Sequence, residues 1–591
     1  MNIYFDIETN DIHDWIHLSD VKTLLCMAVS IDGEEPQIVD IKDGLTLLQN
    51  ADQIIGHNIQ SFDIPALQKL YPTFKPDPAK VVDTLLMCRL LHADQRERDF
   101  QVKDFPKELV GSQSLKAWGI RLGIAKGEAP DFTKDTEQLR EYCKQDVRVT
   151  AALHEHLLSH PSMPSAATAV TLEHQFAAII REQERVGFPF DIESAQRLHG
   201  ALLKDQLSIE QQLQEVFPPI VTERKSEKTG KRLKSKVEAF NPGSRLQIAQ
   251  RLIAKYNWVP TELTPDGKPR VDESVLASLD YPEAKILSRY LTVQKRLGQL
   301  ADGDEAWLKA VAPDGRLHGR VNTNGAITGR CTHRSPNMAQ VPTDKEYRSL
   351  FVPSRGKVLV GVDASGLELR CLAHYLGRYD KGEYTKAILD GDIHWTNAIA
   401  FGLIKDVPQD KANPEHKAAR NQAKGAIYAL IYGAGNDKLG MVLGGDKKRG
   451  SKARANFEAK VPAYTRLKAD VALSLASNGF LRGLDSRPLY PRSEHAALNT
   501  LLQSAGAVVM KKACVNAWMQ FDHAIHVLPG HPHVEQVASV HDEYQFMVSK
   551  NYAEAVGNIV VWAIQQAGVD FDFRCPLDGE YRVGANWAET H

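Results

Sequence analysis

The stretch that most constrains the fold is SVHDEYQFMV, residues 539–548, where two adjacent carboxylates interrupt an apolar pattern typical of a β-hairpin. The carboxylates are Asp542 and Glu543. A solvated turn is the simplest interpretation, because moving a carboxylate out of water costs free energy. Carboxylates that point inward instead require a cation. Further carboxylates elsewhere in the chain would therefore favour a metal site over a solvated turn.

Length and composition indicate a large multidomain globular protein. The 591 residues predict roughly three to five structural units at about 150 residues each. No apolar run is long enough to cross a bilayer, and the first residues, MNIYFDIETN, form an alternating strand pattern without the basic start of a signal peptide. The seven cysteines contain no C-x-x-C pair, which favours reduced thiols over a zinc-cysteine site or a disulfide framework.

Positive charge is concentrated in two runs, although the net charge is −2. Residues 223–236 contain seven Lys or Arg, and residues 446–454 contain five. The net charge argues weakly against nucleic-acid binding, which often accompanies a basic excess. Each run is compatible with a solvated loop or with a polyanion contact.

An ordered acidic series lies in residues 1–160, which have an α/β pattern. NIYFDIET and LLCMAVSID predict strands, and LREYCKQDVRVTAALHEHLL predicts a helix. Asp6 and Glu8 share one face of the first strand, and Tyr142 and Asp146 share one face of the helix. Asp63 follows a predicted helix start. Singly, each carboxylate is typical of a surface or a helix cap, but four at one site would repel one another unless divalent cations were bound.

This series closely resembles the DEDD-type 3′–5′ exonucleases of the ribonuclease H-like superfamily, in their tyrosine-containing variant. The resemblance covers about residues 1–160. It implies two metal ions about 4 Å apart. The implied metal ligands are Asp6, Glu8, Asp63 and Asp146, and Tyr142 is implied to orient the attacking water.

A second acidic set accompanies RGKVLVGVDASGLELRCLAHYL, which predicts a buried strand leading into a helix. Asp363 stands at the strand end and Glu368 follows five residues later. Asp363, the carbonyl of Ala364 and Asp542 together would suit Mg²⁺, which prefers oxygen ligands. Asp542 then has a reason to lie in an apolar hairpin, with Glu543 as a supporting carboxylate.

A stripe of cations and aromatic rings runs along ARNQAKGAIYALIYGAG. Its members are four residues apart, so they share one helix face: Arg420, Lys424, Tyr428 and Tyr432. Cations suit phosphates, and rings suit a sugar and a base. The simpler alternative is an amphipathic helix with a basic rim. His394, in GDIHWTNA, is a further candidate phosphate donor.

Three of these segments resemble motifs A, B and C of family A DNA polymerases, the bacterial polymerase I-like family. They are the strand and helix at Asp363, the stripe that begins at Arg420 and the hairpin at Asp542. GAITGRCTHRSPNMAQVP and HAALNTLLQSAGA resemble two DNA-contact motifs of that family. The DNA contacts implied by the resemblance are Arg330, Asn337, Gln340, Asn499, Gln503 and His541. The resemblance extends from about residue 170 to residue 591 and is nearest to the T-seven-type replicative subgroup of bacteriophages.

The expected fold is multidomain α/β, a ribonuclease H-like exonuclease domain followed by a right-hand polymerase domain. SHPSMPSA, residues 159–166, is interpreted as the linker, with the polymerase domain at 168–591. The subdomains implied by the resemblance are a thumb at about 170–300, a palm at about 301–390 and 500–591, and fingers at about 391–499.

The function implied by the resemblance is primer extension with dNTPs on a DNA template, with 3′–5′ proofreading. Two Mg²⁺ ions are implied per active site, and Mn²⁺ can substitute. Asp363, Asp542, Glu543 and Lys424 are the implied catalytic residues of the polymerase site. The nucleotide-binding residues are Arg420, Lys424, Tyr428, His394, Glu368 and Tyr432, of which Glu368 would crowd the sugar 2′ position.

The expected partners are primer–template DNA, dNTPs and a replicative helicase–primase, with no membrane, in the cytoplasm of a bacterial host of a phage. The resembled subgroup recruits thioredoxin through a long thumb insertion. Here only 22 residues separate LQEVF, residues 213–217, from Phe240, so a thioredoxin clamp is not expected.

Three alternatives remain at this point. The first two are a ribonuclease D-like exonuclease with an inert second domain and a primer–template-binding scaffold with an inactive polymerase site, and Asp363, Lys424 and Asp542 argue against both. The third is a single-subunit RNA polymerase, against which Glu368 and the exonuclease motifs argue.

Overall fold

A five-stranded sheet organises the N-terminal domain in the computed structural model, which describes residues 1–10, 12–124, 127, 130–225, 231–260 and 262–591. The strand order is β3-β2-β1-β4-β5, with β1 antiparallel to β2 and parallel to β4. The strands are β1 (Asn2–Thr9), β2 (Leu24–Ile31), β3 (Gln37–Ile38), β4 (Gln53–Gly56) and β5 (Val81–Asp83).

The side chains of β1 alternate between the core and the opposite, half-exposed face. Ile3, Phe5 and Ile7 are buried, so Asp6 and Glu8 are directed to the other face, as the period of two requires. The helices of this domain are α1 (Ile41–Asn50), α2 (Asp63–Leu70), α3 (Thr84–Leu91), α4 (Gln95–Asp99), α5 (Leu115–Arg121) and α6 (Glu137–Leu158). Helix α6 packs against β1 and β2.

The next helix, α7 (Met163–Val186), begins inside the segment interpreted as a linker, residues 159–166. That interpretation was wrong for residues 163–166. Pro164 lies in the first turn of α7, where a missing N–H removes no helical hydrogen bond. The apolar face of α7, including Phe176 and Ile180, packs into the core of the second domain.

A mainly helical region follows, with its own core between residues 209 and 297. The basic run expected as a loop or polyanion contact forms part of an antiparallel hairpin, β7 with β8, although residues 226–230 lie outside the described residues. The elements are β6 (Phe188–Pro189), α8 (Ile192–Val216), β7 (Ile220–Lys225), β8 (Arg232–Glu238), α9 (Arg245–Tyr256), α10 (Glu273–Ala277), α11 (Pro282–Leu297) and α12 (Trp307–Ala310). The expected thumb at about 170–300 therefore includes most of α7. That helix packs into the core that contains the strands at 357–364 and 543–549, and not into the core between residues 209 and 297.

An antiparallel four-stranded sheet of order β15-β16-β12-β17 carries the second acidic set. The strands after β6 in the second domain are β9 (Arg316–Leu317), β10 (Arg320–Asn322), β11 (Thr332–Arg334), β12 (Lys357–Ala364), β13 (Leu481–Arg482), β14 (Pro488–Leu489), β15 (Val534–Val540), β16 (Glu543–Ser549) and β17 (Gly579–Gly584). The predicted hairpin at 537–548 is formed by β15 and β16.

Helices pack around this sheet and extend away from it. They are α13 (Lys345–Arg348), α14 (Leu367–Leu376), α15 (Glu383–Asp390), α16 (Ile393–Ala400), α17 (Pro414–Ile431), α18 (Asn436–Val442), α19 (Lys447–Lys460), α20 (Pro462–Asn478), α21 (Glu494–Ile525) and α22 (Ala553–Asp570). The 32-residue helix α21 runs continuously across the expected boundary between fingers and palm at 499/500. None of the described helices is long and apolar enough to cross a membrane.

Candidate active sites

Two carboxylates meet at one end of the four-stranded sheet. Asp363 stands near the end of β12, opposite Glu543 of β16 in the strand register. Asp542 occupies the turn before β16, and its carbonyl accepts a hydrogen bond of 3.0 Å from the Ala364 N–H. The turn also holds His541 at a φ of 56°. Backbone pairing therefore brings Asp363 and Asp542 together from segments about 180 residues apart.

The electrostatics of this pair favour a bound cation. Burial raises the pKa of Asp363 to about 7, with further contributions from Asp542 and Glu543. Burial and then the charge of Glu368 raise the pKa of Asp542 to about 6. Carboxylates that repel one another in this way are stabilised as anions by a divalent ion. Because the donors are carboxylate and carbonyl oxygens, the residues fit a hard cation of the Mg²⁺ class.

Glu543 has a different environment from its neighbour Asp542. It is 5% exposed and accepts hydrogen bonds from Trp587 Nε1, Gln545 Nε2 at 2.6 Å and His591 Nδ1 at 2.9 Å. Arg348 Nη1 lies 3.5 Å away. Burial raises the pKa of Glu543, but the His591 and Gln545 hydrogen bonds and the Arg348 charge outweigh it, so the net pKa is lowered. Both of its carboxylate oxygens therefore have protein partners.

Helix α17 carries the cationic part of the expected nucleotide stripe. Arg420 Nε donates to Asp392 Oδ2 at 2.5 Å. Asp392 also caps α16 by accepting from the backbone N–H groups of His394 and Trp395. Lys424, one turn beyond Arg420, is exposed. The cap of α16 thus holds His394 beside Arg420.

The aromatic end of the stripe reaches the carboxylates. Tyr432 caps the C-terminus of α17, and its hydroxyl donates to Glu368 Oε1 at 2.9 Å. Arg330 Nη2 lies 3.9 Å from the same oxygen. Burial, followed by the charges of Glu368 and Asp542, raises the pKa of Tyr428 to about 12. The stripe therefore extends from the carboxylate pair to the Arg420 cation.

The expected DNA contacts fall into separate groups. Arg330 and His541 line a cleft of about 50 Å³ together with Glu368 and Asp542. The described residues lining that cleft do not include the other four expected contacts, Asn337, Gln340, Asn499 and Gln503. Asn337 caps a short turn by accepting from the Ala339 N–H, and Gln340 is exposed.

Two of these expected contacts connect helices. Asn499 Nδ2 donates to the Ile431 carbonyl at the end of α17, at 2.7 Å, and its Oδ1 accepts from Gln503 Nε2 at 3.2 Å. The N-terminal part of α21 is therefore joined to the end of the nucleotide-stripe helix.

A second carboxylate cluster lies on the sheet of the N-terminal domain. One ligand atom each from Asp6, Glu8 and Cys143 lie within 4.8 Å of one another. Asp63 stands at the start of α2, where its carboxylate accepts a hydrogen bond from the Ile7 N–H between the two β1 carboxylates. Asp146 of α6 is 4% exposed. The structure thus brings all four predicted carboxylates to one part of the domain.

Mutual repulsion is evident in this cluster as well. Burial raises the pKa of Asp63 to about 7, and the charges of Asp83 and Asp146 add to it. Tyr142 is half-buried and packs edge to face against Phe132, with ring centroids 5.8 Å apart. The carboxylate oxygens fit hard divalent ions, as at the first cluster.

Cys143 is a residue that sequence reasoning missed. Its Sγ lies 3.5 Å from Asp6 Oδ2. A hydrogen bond with Cys26 and burial raise the pKa of Cys143 well above its usual value. Without a bound cation the group is therefore a thiol, within hydrogen-bonding distance of the Asp6 carboxylate.

Asp83 was also missed, although its place after the short apolar run VV was a detectable capping signal. It is 1% exposed and accepts from the backbone N–H groups of Asn58, Gln60 and Leu85. It thereby holds the loop that leads into Asp63.

Two protein-family models match parts of this chain. The model of the RNase H superfamily matches residues 3–158, and that of DNA polymerase family A matches residues 210–589. The DNA-directed DNA polymerases of Enterobacteria phage T3 and Escherichia phage T7 are each 34% identical to this chain, over 91% of it and 92% of the relative. The POL domain of Pol1 from M. smegmatis, solved with DNA primer-template and dNTP, has a TM-score of 0.77 at 18% identity, covering 99% of this chain and 96% of that chain. That likeness concerns the fold.

Proposed function

Because the chain belongs to DNA polymerase family A and is a DNA-directed DNA polymerase with an RNase H-like domain, we propose that its two carboxylate clusters are separate active sites. The cluster at Asp363 and Asp542 extends primer 3′ ends with dNTPs. The cluster at Asp6, Glu8 and Asp63 removes 3′-terminal nucleotides. The family and domain matches confirm the expected family, fold class and enzyme class.

The observation that carries the proposal is the pair of strand-end carboxylates facing the α17 stripe. Asp363 and Asp542 have raised pKa values, and Tyr428 and Glu368 adjoin them. This arrangement supports a site where metal-bound phosphates meet a deoxyribose.

At the polymerase site, Asp363, Asp542 and the Ala364 carbonyl would hold Mg²⁺, for which Mn²⁺ can substitute. When bound, the metal supplies charge neutralisation and a lowered pKa of the primer 3′-hydroxyl. That hydroxyl attacks the α-phosphate in line, and pyrophosphate leaves. Glu543 fixes the hairpin that carries Asp542, and is therefore a positioning residue.

The side chains of α17 and its neighbours bind the nucleotide in this proposal. Arg420, Lys424 and His394 neutralise the triphosphate. Tyr428 contacts the sugar. Glu368, oriented by the hydroxyl of Tyr432, occupies the space that a ribose 2′-hydroxyl would need.

Primer–template DNA is the proposed macromolecular ligand. The residues proposed to contact it are Arg330, Asn337, Gln340, Asn499, Gln503 and His541. These contacts would position the duplex through its backbone and minor groove, while base pairing selects the nucleotide. A replicative helicase–primase is the proposed partner, and the phage relatives support work in a bacterial cytoplasm.

At the exonuclease site, Asp6, Glu8, Asp63 and Asp146 would hold the metal ions, and Tyr142 orients the attacking water. The proposed domain limits are 1–160 and 168–591. In the second domain, the helix α7 supports the palm sheet.

Replacing each cluster separately tests the proposal. Asp6→Ala with Glu8→Ala should abolish 3′–5′ degradation of a labelled primer and leave its extension within about twofold. Asp542→Asn should nearly abolish extension, because a metal ligand is lost, and should retain degradation.

A well-folded Asp6→Ala/Glu8→Ala protein that had lost both activities would contradict the two-site proposal. Extension by Asp542→Asn at the wild-type rate would contradict the assignment of the polymerase site. Circular dichroism and thermal denaturation of each variant provide the check on folding.

A further inference from the structure

A third set of metal-type ligands lies where the N-terminal domain meets the second domain. His17 belongs to the connection between β1 and β2, whereas Asp314 and His318 flank β9. One ring nitrogen of each histidine and one carboxylate oxygen of Asp314 lie within 4.8 Å of one another. The two imidazole rings meet edge to face, with centroids 4.6 Å apart. These three residues belong to neither carboxylate cluster described above.

Hydrogen bonds determine which ring nitrogens carry hydrogen. His318 Nδ1 lies 2.8 Å from the carbonyl oxygen of Glu184, and His17 Nε2 lies 3.1 Å from that of Arg185. A carbonyl can only accept, so these two nitrogens are the donors. A lone pair then remains on His318 Nε2 and on His17 Nδ1. Metal-binding histidines characteristically donate their second N–H to such a backbone carbonyl.

The remaining nitrogen of His318 faces a carboxylate. Its Nε2 lies 3.2 and 3.4 Å from the two oxygens of Asp314. When the ring is neutral, His318 Nε2 and the Asp314 oxygens are all acceptors, with no hydrogen between them. A proton on Nε2 would satisfy that contact and would leave the exposed His17 Nδ1, 3.9 Å from Asp14 Oδ2, to solvent. A metal ion would use all three lone pairs.

We propose that His17, Asp314 and His318 bind a divalent ion of the zinc class, with water as the fourth ligand. Two imidazole nitrogens and one carboxylate oxygen suit zinc, whereas Mg²⁺ prefers oxygen donors alone. His318 is held in place by packing, because a Cβ at Gly187 would lie 2.6 Å from its ring atoms. The exposed His17 and Asp314 side chains adjust around it. The ion connects the exonuclease domain to the strand β9.

Cobalt(II) provides a spectroscopic probe of this site. The metal-free full-length protein is titrated with Co²⁺, and the visible d–d absorption is recorded. Four-coordinate Co²⁺ absorbs much more strongly than the six-coordinate ion that carboxylate oxygens bind, so Asp363 and Asp542 contribute little. The variants below separate the band from any absorption at the cluster of Asp6, Glu8 and Cys143. We expect an intense band that saturates at about one equivalent and disappears when Zn²⁺ is added.

Two substitutions test the assignment. His17→Gln and Asp314→Asn should each abolish the band, and both positions are exposed, so folding is retained. Primer extension with Mg²⁺ should stay at the wild-type rate in both, which separates this proposal from the polymerase site. The matched control is His523→Gln, an exposed histidine at the end of α21, which should keep the band. Absence of the band in the wild type, or its persistence in both variants, would overturn the proposal.

Discussion

Asp542 and Glu543 are adjacent in the chain but have opposite surroundings. The pKa of Asp542 is raised to about 6, whereas the pKa of Glu543 is lowered by its hydrogen bonds and by Arg348 in spite of burial. Asp542 lies in the turn of the hairpin, whereas Glu543 is the first residue of β16 and packs among Trp587, Gln545 and His591. One carboxylate therefore remains available to a metal ion, and the other is bound to protein donors.

The hydroxyl of Tyr428 leads to a prediction about sugar selection. A dNTP 3′-hydroxyl can bond its own phosphates, and a ddNTP lacks it, which leaves a polar position unpaired at a cost of roughly 1–3 kcal/mol. In the proposed nucleotide site, the Tyr428 hydroxyl would replace that partner. Tyr428→Phe should therefore increase the ratio of dNTP to ddNTP incorporation efficiency by roughly 5- to 150-fold, since 1.4 kcal/mol is a factor of ten.

The control for this measurement is Tyr379→Phe. The Tyr379 hydroxyl donates to Asp470 at 2.6 Å, outside the nucleotide stripe, so its removal should leave the ratio unchanged. An equal ratio in wild type and Tyr428→Phe would mean that the Tyr428 hydroxyl plays no part in sugar selection.

His92 leads to a prediction about the pH dependence of stability. It is 3% exposed, and burial, followed by the charges of His160, Arg98, His156 and Arg121, lowers its pKa to about 3. Since an unfolded histidine has a pKa near 6.5, only the unfolded chain gains this proton between about pH 6.5 and 3. The free energy of unfolding should therefore decrease as pH falls, by at most about 1.4 kcal/mol per pH unit from this residue.

His92→Phe should reduce that slope between pH 6.5 and 5, measured by urea denaturation followed by circular dichroism. His523→Gln, at an exposed position, should keep the wild-type slope. A slope unaltered by His92→Phe would mean that His92 is protonated in the folded protein.

At the scale of elements, periodicity predicted the strands and helices that carry the sites. The alternation in β1, the strand β12 followed by α14, the helices α6 and α17 and the β15–β16 hairpin all form where the pattern indicated. Each is long or strongly patterned, so local sequence suffices. The expectation of a linker at 159–166 was wrong because Pro164 is favourable both in loops and in a helical first turn.

Site details that depend on distant segments could not be predicted. The partners of Glu543 come from Arg348, Trp587 and His591, 44 to 195 residues away in the chain. Similarly, the thiol of Cys143 reaches Asp6 across 137 residues. No local pattern encodes such contacts, because they arise from the packing of separate elements.

The β7–β8 hairpin gives an element-scale prediction. Lys231, Arg232 and Lys234 are exposed on or beside β8, and Arg232 pairs with Glu223 across the hairpin. Each contact with a duplex phosphate contributes about −0.9 to the slope of log K against log salt. Neutralising the three residues to Gln should make the slope for primer–template binding less negative by about one to three.

The control neutralises Lys42, Lys75 and Lys103, which are exposed on the N-terminal domain. This change removes the same charge and should leave the slope unaltered. Equal slopes for wild type and the hairpin variant would mean that the hairpin is solvated and does not contact the duplex.

At the scale of the whole molecule, a buried ion network joins three parts of the chain. Glu173 of α7 binds Lys511 of α21 and Arg487, which also pairs with Asp485 at 2.7 Å. All four side chains are at most 5% exposed. Because these buried charges have no water to stabilise them, each is stabilised by its partners. Removal of one therefore leaves an uncompensated buried charge.

Glu173→Ala should therefore lower the free energy of unfolding by roughly 3–5 kcal/mol. Glu182→Ala, in the same helix, breaks the more exposed pair with Arg185 and should cost about 1 kcal/mol or less. Urea denaturation of the two variants and wild type measures the difference. Equal losses in both would show that the buried network adds nothing beyond a surface pair.

The length of α21 has a mechanical consequence. Its 32 residues form a rod about 48 Å long, with Trp518 and Phe521 packed near one end and Asn499 bound to the last turn of α17 near the other. A tilt of about 5° at the packed end would displace the far end by about 4 Å, given that length. Since buried residues extend along α21 from Ala497 to Phe521, a strain beneath the catalytic sheet would move the helix as one rigid body and would reach the end of α17 with it.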